Sequence, residues 1–222
     1  MCAQLSAKPK SLRLTLVGVG GLNSPRYAPA GLLVEYGSSR VMIDGGPGAT
    51  TKRRVSAWLV TDECSELIRE IRKLAQLKGL EPKVATYRSD GLVVEPRAVI
   101  HTSHAAYGYL IRAAGSKIVW APEFLVFPSW AKGADLMFAE AAGWNRPIFF
   151  RGGVGGHASV TQVARDAIKY KVKRLVFAHL GRPTIKAIDA GELPVFGEFA
   201  ADGDVYSLRE DGNFSPGHRG KR

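Results

Sequence analysis

Apolar and polar residues alternate along Leu12–Val17, and apolar residues dominate Gly31–Tyr36 and Arg40–Ile43, patterns that predict strands. The link Gly37-Ser38-Ser39 predicts that the last two form a hairpin. Arg54–Val60 reads as a further buried strand. From Glu66 to Lys78 the period changes, with Leu67, Ile68, Ile71, Leu74, Ala75 and Leu77 at helical spacing. Short strands separated by turn residues are predicted at Val84–Thr86, Leu92–Val94, Ala98–His101, Gly108–Ala113 and Lys117–Trp120. A turn at Ala131–Gly133 precedes a strand at Leu136–Ala139. A second helix is predicted over Val160–Tyr170 with Ser159 as its N-cap, then a strand at Lys173–Phe177. Two runs of strands, each followed by a helix and a further strand, predict two packed sheets with helices outside. No internal repeat or long Pro/Gly/Ser linker interrupts the chain. One domain is therefore expected over residues 1–214, with a basic, disordered tail at 215–222.

Composition narrows the class. The chain has 222 residues, 45% hydrophobic and 23% charged, enough for a buried core and unlike a disordered or fibrous protein. No apolar run reaches the roughly 18 residues of a membrane span, so no membrane is expected as a partner. The first ten residues lack the apolar stretch of a signal peptide, and two cysteines make no disulfide framework. Both features lead to the expectation of a reducing, cytoplasmic setting. A net charge of +11 favours anionic partners and leaves nucleic acid open. Aromatic residues do not alternate with basic ones as a platform for stacked bases would require.

Gly18-Val19-Gly20-Gly21 follows a strand, and Asp44 ends another strand, which mimics a dinucleotide-binding fingerprint. The third glycine is missing, however, and a loop and hairpin stand where the phosphate-binding helix should be. The histidines are more informative. His101, His104, His157 and His179 all lie near strand ends or in a Gly-rich loop, where a rigid scaffold gathers reactive groups. His218 falls in the basic tail and is left out of the site. Asp62, Cys64 and Glu66, also after a buried strand, add three side chains competent to bind zinc.

The order of these segments resembles the metallo-β-lactamase superfamily, in particular its ribonuclease Z and phosphodiesterase branch. Val17-Gly-Val-Gly-Gly-Leu-Asn-Ser-Pro-Arg26, Ala30-Gly-Leu-Leu-Val-Glu-Tyr-Gly37 and Arg40-Val-Met-Ile-Asp-Gly-Gly46 are similar to the start of that branch. Tyr107-Gly-Tyr-Leu-Ile-Arg112 resembles its Gly-Tyr strand. Trp120-Ala-Pro-Glu-Phe124 stands where the family has Ser-Gly-Asp-Thr, and Ala134-Asp-Leu-Met-Phe-Ala-Glu-Ala-Ala142 where it has a His-Glu-Ala-Thr ending. Gly156-His-Ala-Ser-Val-Thr-Gln-Val-Ala164 resembles its Gly-His-Ser-Thr helix start, and Lys173-Arg-Leu-Val-Phe-Ala-His179 its last metal-binding strand.

This resemblance implies a four-layer αββα sandwich with a site along one sheet edge, and Asp44 as a structural support beneath the metal loop. The family's His-x-His-x-Asp-His motif is altered: Asp62, Cys64, Glu66 and Leu67 occupy its ligand positions. Leu67 cannot coordinate a metal. His104 or His101 falls at the next ligand position, Glu123 replaces the bridging Asp, and His179 matches the final ligand. His157 matches a histidine that the nuclease branch holds near the scissile group. The implied activity is metal-dependent hydrolysis of a phosphodiester or other ester, on a small anionic or ester substrate. Zinc or another divalent transition metal is the implied cofactor, one ion rather than two. His157 would be the proton donor. Clustered carboxylates would repel one another without a cation, which favours a bound ion. The contrasting expectation is a pseudo-enzyme or binding module that keeps the fold without metal, motivated by the loss of every imidazole from the first motif. Cys64 as a redox or nucleophilic thiol is a third reading. Only 18 residues separate His104 from Glu123, too few for a tRNA-binding arm. A homodimer is left open.

Overall fold

The computed structural model describes residues 11–89, 91–208 and 213–215, together with the backbone of His218 and Arg219. Strands β1 (Leu12–Gly18), β2 (Gly31–Tyr36), β3 (Ser39–Asp44) and β4 (Ala57–Leu59) come first, followed by helix α1 (Ile68–Gln76). Next are β5 (Tyr87–Ser89), β6 (Leu92–Val99), β7 (Ala106–Ala113), β8 (Ser116–Ala121) and β9 (Leu136–Ala141). The hairpin of β10 (Ile148–Phe149) and β11 (Gly156–His157) leads to helix α2 (Val160–Lys169) and strand β12 (Leu175–Leu180). Helix α3 (Arg182–Asp189), β13 (Glu198–Phe199), β14 (Asp204–Ser207) and β15 (His218–Arg219) complete the order. One sheet runs β15-β14-β1-β2-β3-β4 and the other β13-β12-β9-β8-β7-β6-β5.

The apolar runs of β2 and β3 have a simple cause: both of their faces are covered. Leu32, Val34, Val41 and Ile43 join the core between the sheets, with Tyr109, Ile118, Trp120 and Phe138 opposite. The intervening Leu33 and Met42 point outward to Trp58, Ile68 and Ile71, beneath α1. On the far side, Val160, Val163, Ala164 and Ala167 of α2 pack on the second sheet. The layers are therefore helix, sheet, sheet, helix, as expected.

Local chemistry moves several predicted boundaries. Helix α1 starts at Ile68 rather than Glu66, because the Asp62 carboxylate accepts the Cys64 N–H and the Ser65 carbonyl accepts that of Ile68. Those bonds hold residues 62–67 in turns that compete with helix. Leu92–Val94 and Ala98–His101 merge into a single β6 that runs through Pro96. Proline is tolerated there because β5 pairs only with Leu92–Val94, which leaves the rest of β6 an outer edge. The segment Val84–Thr86 is not ladder, since the Val84 N–H donates to Glu63 at 2.7 Å, and the strand begins at Tyr87. Only Ala57–Leu59 of the segment 54–60 pairs, with Val41–Ile43. Of the tail from residue 215, the described part is Ser215 and the backbone of His218–Arg219, which pairs with β14; the rest lies outside the described residues.

Ser159 caps α2, its hydroxyl accepting the Gln162 N–H at 3.3 Å. Ser159→Ala should cost about 1 kcal/mol of unfolding free energy, read from the midpoint of a urea transition at unchanged slope.

Candidate functional site

Strand ends and the loops after them build a cavity of about 380 Å³ along one edge of the sandwich. Its wall carries Asp62, Cys64, Glu66, His101, His104, Glu123, His157 and His179, so all eight residues singled out for chemistry line one space. Asp44 lies behind them. Its side chain accepts the Thr61 N–H and hydroxyl at 2.7 and 2.9 Å, and the Trp120 indole N–H at 2.8 Å. It thereby holds the strand end immediately before Asp62. Burial pushes the Asp44 carboxyl up to about 6 against the effect of those hydrogen bonds.

His179 is aimed by a fault in its own strand. The register between β12 and β9 shifts between Phe177 and Leu180, and His179 has φ of 63°. A bulge of this kind re-aims a side chain at the cost of a sparsely populated backbone conformation. The imidazole that results is 5% exposed and sits between two carboxylates. Nδ1 donates to Glu140 at 3.1 Å, and Nε2 lies 2.8 Å from Glu123. Burial alone would lower the His179 pKa, but Glu123 and Glu140 raise it well above the ordinary imidazole range.

Glu140 was not singled out in the sequence, and it is the most constrained side chain of the site. It is 0% exposed in the middle of the second sheet. One oxygen accepts the Ala142 N–H at 2.8 Å and His179; the other accepts the Phe124 N–H at 3.1 Å and His157 Nδ1 at 2.7 Å. Burial would raise its pKa, but His157 and His179 bring it down to about 2. The signal available in the sequence was a single charge inside the apolar run 136–142, since a glutamate is almost never fully buried without partners.

Glu123 is held from both sides, by His179 at 2.8 Å and by His101 Nε2 at 3.1 Å. His101 in turn donates Nδ1–H to the Gly156 carbonyl at 2.9 Å. Burial works against charge on both partners of this group, yet the two imidazoles hold the Glu123 carboxyl well below its usual range, and Glu123 raises the His101 pKa. Of the two histidines that the spacing left open, His101 therefore joins Glu123 and His179. His104 lies apart with Asp62, its Nε2 donating to Oδ2 at 2.7 Å.

The expected single ligand set thus divides. Ligand atoms of Asp62, Cys64 and His104 lie within 4.8 Å of one another, as do those of Glu140, His157 and His179. The second trio does not suit an ion, because the Glu140 carboxylate already accepts four hydrogen bonds and serves to orient two imidazoles. The first trio does: carboxylate oxygen, thiolate sulfur and imidazole nitrogen are zinc donors, and three protein ligands leave a position open. Glu66 is exposed on the rim, and Leu67 packs beneath α1. The repulsion expected among Asp62, Glu66 and Glu123 is also relieved, since Asp62 and Glu123 have histidine partners and Glu66 is exposed to solvent.

Phe150, just after β10, closes one side of the cavity. Its ring stands edge-on to His101 at 5.4 Å and to His157 at 5.3 Å.

No protein-family model and no curated protein matches this sequence. Solved structures do. YhfI of Bacillus subtilis, described as a metallo-β-lactamase fold protein, superposes with a TM-score of 0.68 at 16% identity, covering 89% of this chain and 99% of that one. A diphosphatase of the PhnP family gives 0.64 at 17% identity, covering 89% and 97%. Zn(2+)-bound PqqB of Methylobacterium extorquens gives 0.60 at 12% identity, covering 87% and 99%. Among the described residues no helix is long and apolar enough to cross a membrane. Identities this low speak for architecture alone, and by its layers, strand order and site edge the chain has the metallo-β-lactamase fold.

Proposed function

We propose that the protein is a metal-dependent hydrolase of a phosphodiester or other ester, with an altered ion site. The observation that carries this reading is the convergence of Asp62, Cys64 and His104 on the wall that also presents His157. Asp62, Cys64 and His104 would hold a divalent ion, which would supply Lewis acidity for an ester or phosphoryl oxygen. His104 Nε2 and Asp62 Oδ2, 2.7 Å apart, would both turn to the ion, with the proton of the neutral ring on Nδ1. Glu140 accepts the Nδ1 proton of His157 and so leaves Nε2 for the cavity; that nitrogen takes a proton from the attacking water, and the imidazolium so formed returns it to the leaving group. His179 and His101 hold Glu123 in place, and Phe150 packs edge-on against His101 and His157.

A second reading rests on a specific contact: both oxygens of Glu123 already engage imidazole Nε2 atoms, a network complete without any ion. In that case the fold is a binding module. Metal analysis of the purified protein separates the two. The hydrolase reading expects about one equivalent of zinc or a similar ion, bound at least tenfold more weakly in Cys64→Ser and His104→Ala, and metal-stimulated turnover of bis-p-nitrophenyl phosphate or a simple lactone. Metal-free protein, or occupancy indifferent to both substitutions, favours the binding module.

A further inference from the structure

Among the described residues, Arg182 is the only lysine or arginine that lines the cavity. It is exposed, at the first turn of α3. Nearby Arg26 is tied to Asp189 by two contacts of 2.8 Å, whereas no hydrogen bond or ion pair holds Arg182 among the described residues. Of the lining carboxylates, Asp62 and Glu123 are matched by His104, His101 and His179, and Glu66 is exposed on the rim. An unmatched, permanently charged fork therefore stands beside a wall whose other charges are largely paired. The same cavity offers an apolar surface formed by Leu22, Ala142, Ile148, Phe150 and Pro183.

From this arrangement we infer that Arg182 selects the substrate: a small molecule with a terminal oxyanion, which the guanidinium grips, and an apolar body laid against Ile148 and Phe150. The volume of about 380 Å³ suits a compact ligand rather than a polymer. The inference names the substrate class for the proposed hydrolase and rests on that reading for the role of the cavity. A planar fork recognises carboxylate or phosphate through two parallel hydrogen bonds, which a lysine cannot reproduce.

Calorimetric titration of the EDTA-treated protein tests binding apart from turnover. Phenylphosphonate and phenylacetate serve as the two oxyanion probes, and benzyl alcohol as the neutral control. The inference expects at least one oxyanion to bind, at least tenfold more weakly to Arg182→Ala and with intermediate loss in Arg182→Lys, at unchanged Tm. Which probe binds distinguishes a phosphate from a carboxylate end group. Equal affinity in Arg182→Ala, benzyl alcohol binding as tightly as the anions, or no binding of either oxyanion at millimolar concentration overturns it. Should Arg182-dependent binding hold while the purified, untreated protein contains no metal and turns over no ester, the hydrolase reading fails and the oxyanion site stands.

Discussion

Glu140→Gln is expected to cost about 3–5 kcal/mol of stability and to abolish activity, the largest effect of any single conservative change here. Glu140 is fully buried and accepts four hydrogen bonds. An amide of the same shape turns one acceptor into a donor, which must face a backbone N–H or an imidazole N–H. The pH dependence follows from the same contacts. The carboxyl is depressed from 4.5 to about 2, so its contribution is present above pH 4.5 and lost as pH falls through the folded value. A shift of that size corresponds to about 3 kcal/mol, consistent with the cost of substitution. His179 behaves oppositely: raised by Glu123 and Glu140, its contribution is complete below the ordinary imidazole value and fades as pH rises through the folded one. Urea unfolding of wild type and Glu140→Gln from pH 2 to 8 checks both signs. If the variant keeps the wild-type loss of stability between pH 4.5 and 2, Glu140 is not its source.

His157→Ala should lower kcat by about 10²- to 10⁴-fold on an ester with a poor leaving group. The proton it delivers matters only where the departing oxygen needs one. A p-nitrophenyl ester, whose leaving group departs as a stabilised anion, should therefore lose far less. Comparing alkyl with p-nitrophenyl esters in both proteins reads this as a steeper dependence of rate on leaving-group basicity in the variant. His157 lies outside the Asp62–Cys64–His104 trio, so metal content should stay unchanged. An equal loss on both ester types would assign His157 to positioning instead.

Much of this architecture could be read from the chain, for identifiable reasons. β2 and β3 announce themselves because both faces are buried, and α2 because Ser159 caps a clean apolar stripe. The pattern predicts no helix at α3, although proline near the start of a helix, here Pro183, is a favourable signal. The site was legible as a set of residues and not as an arrangement. Periodicity locates strand ends, but the partition between Glu123 and Asp62 depends on how residues 62–67 and 101–105 turn. That choice is made by bonds such as Asp62 to the Cys64 N–H and His101 to the Gly156 carbonyl. Glu140 was hidden by its neighbours, whose unbroken apolar character pointed to core.

The hairpin carrying Phe150 is fastened at its base by a reciprocal pair of contacts. Gly156 donates to the His101 carbonyl at 2.8 Å, and the His101 ring returns a bond to Gly156. Beyond that rivet, the tip from Arg151 to Gly155 includes glycines at 152, 153 and 155 with positive φ. Gly155 lies so close to that rivet that an added side chain would meet the His101 carbonyl, whereas open space surrounds Gly152 and Gly153; a change at residue 155 would therefore carry through to the histidine, and one at 152 or 153 would not reach it.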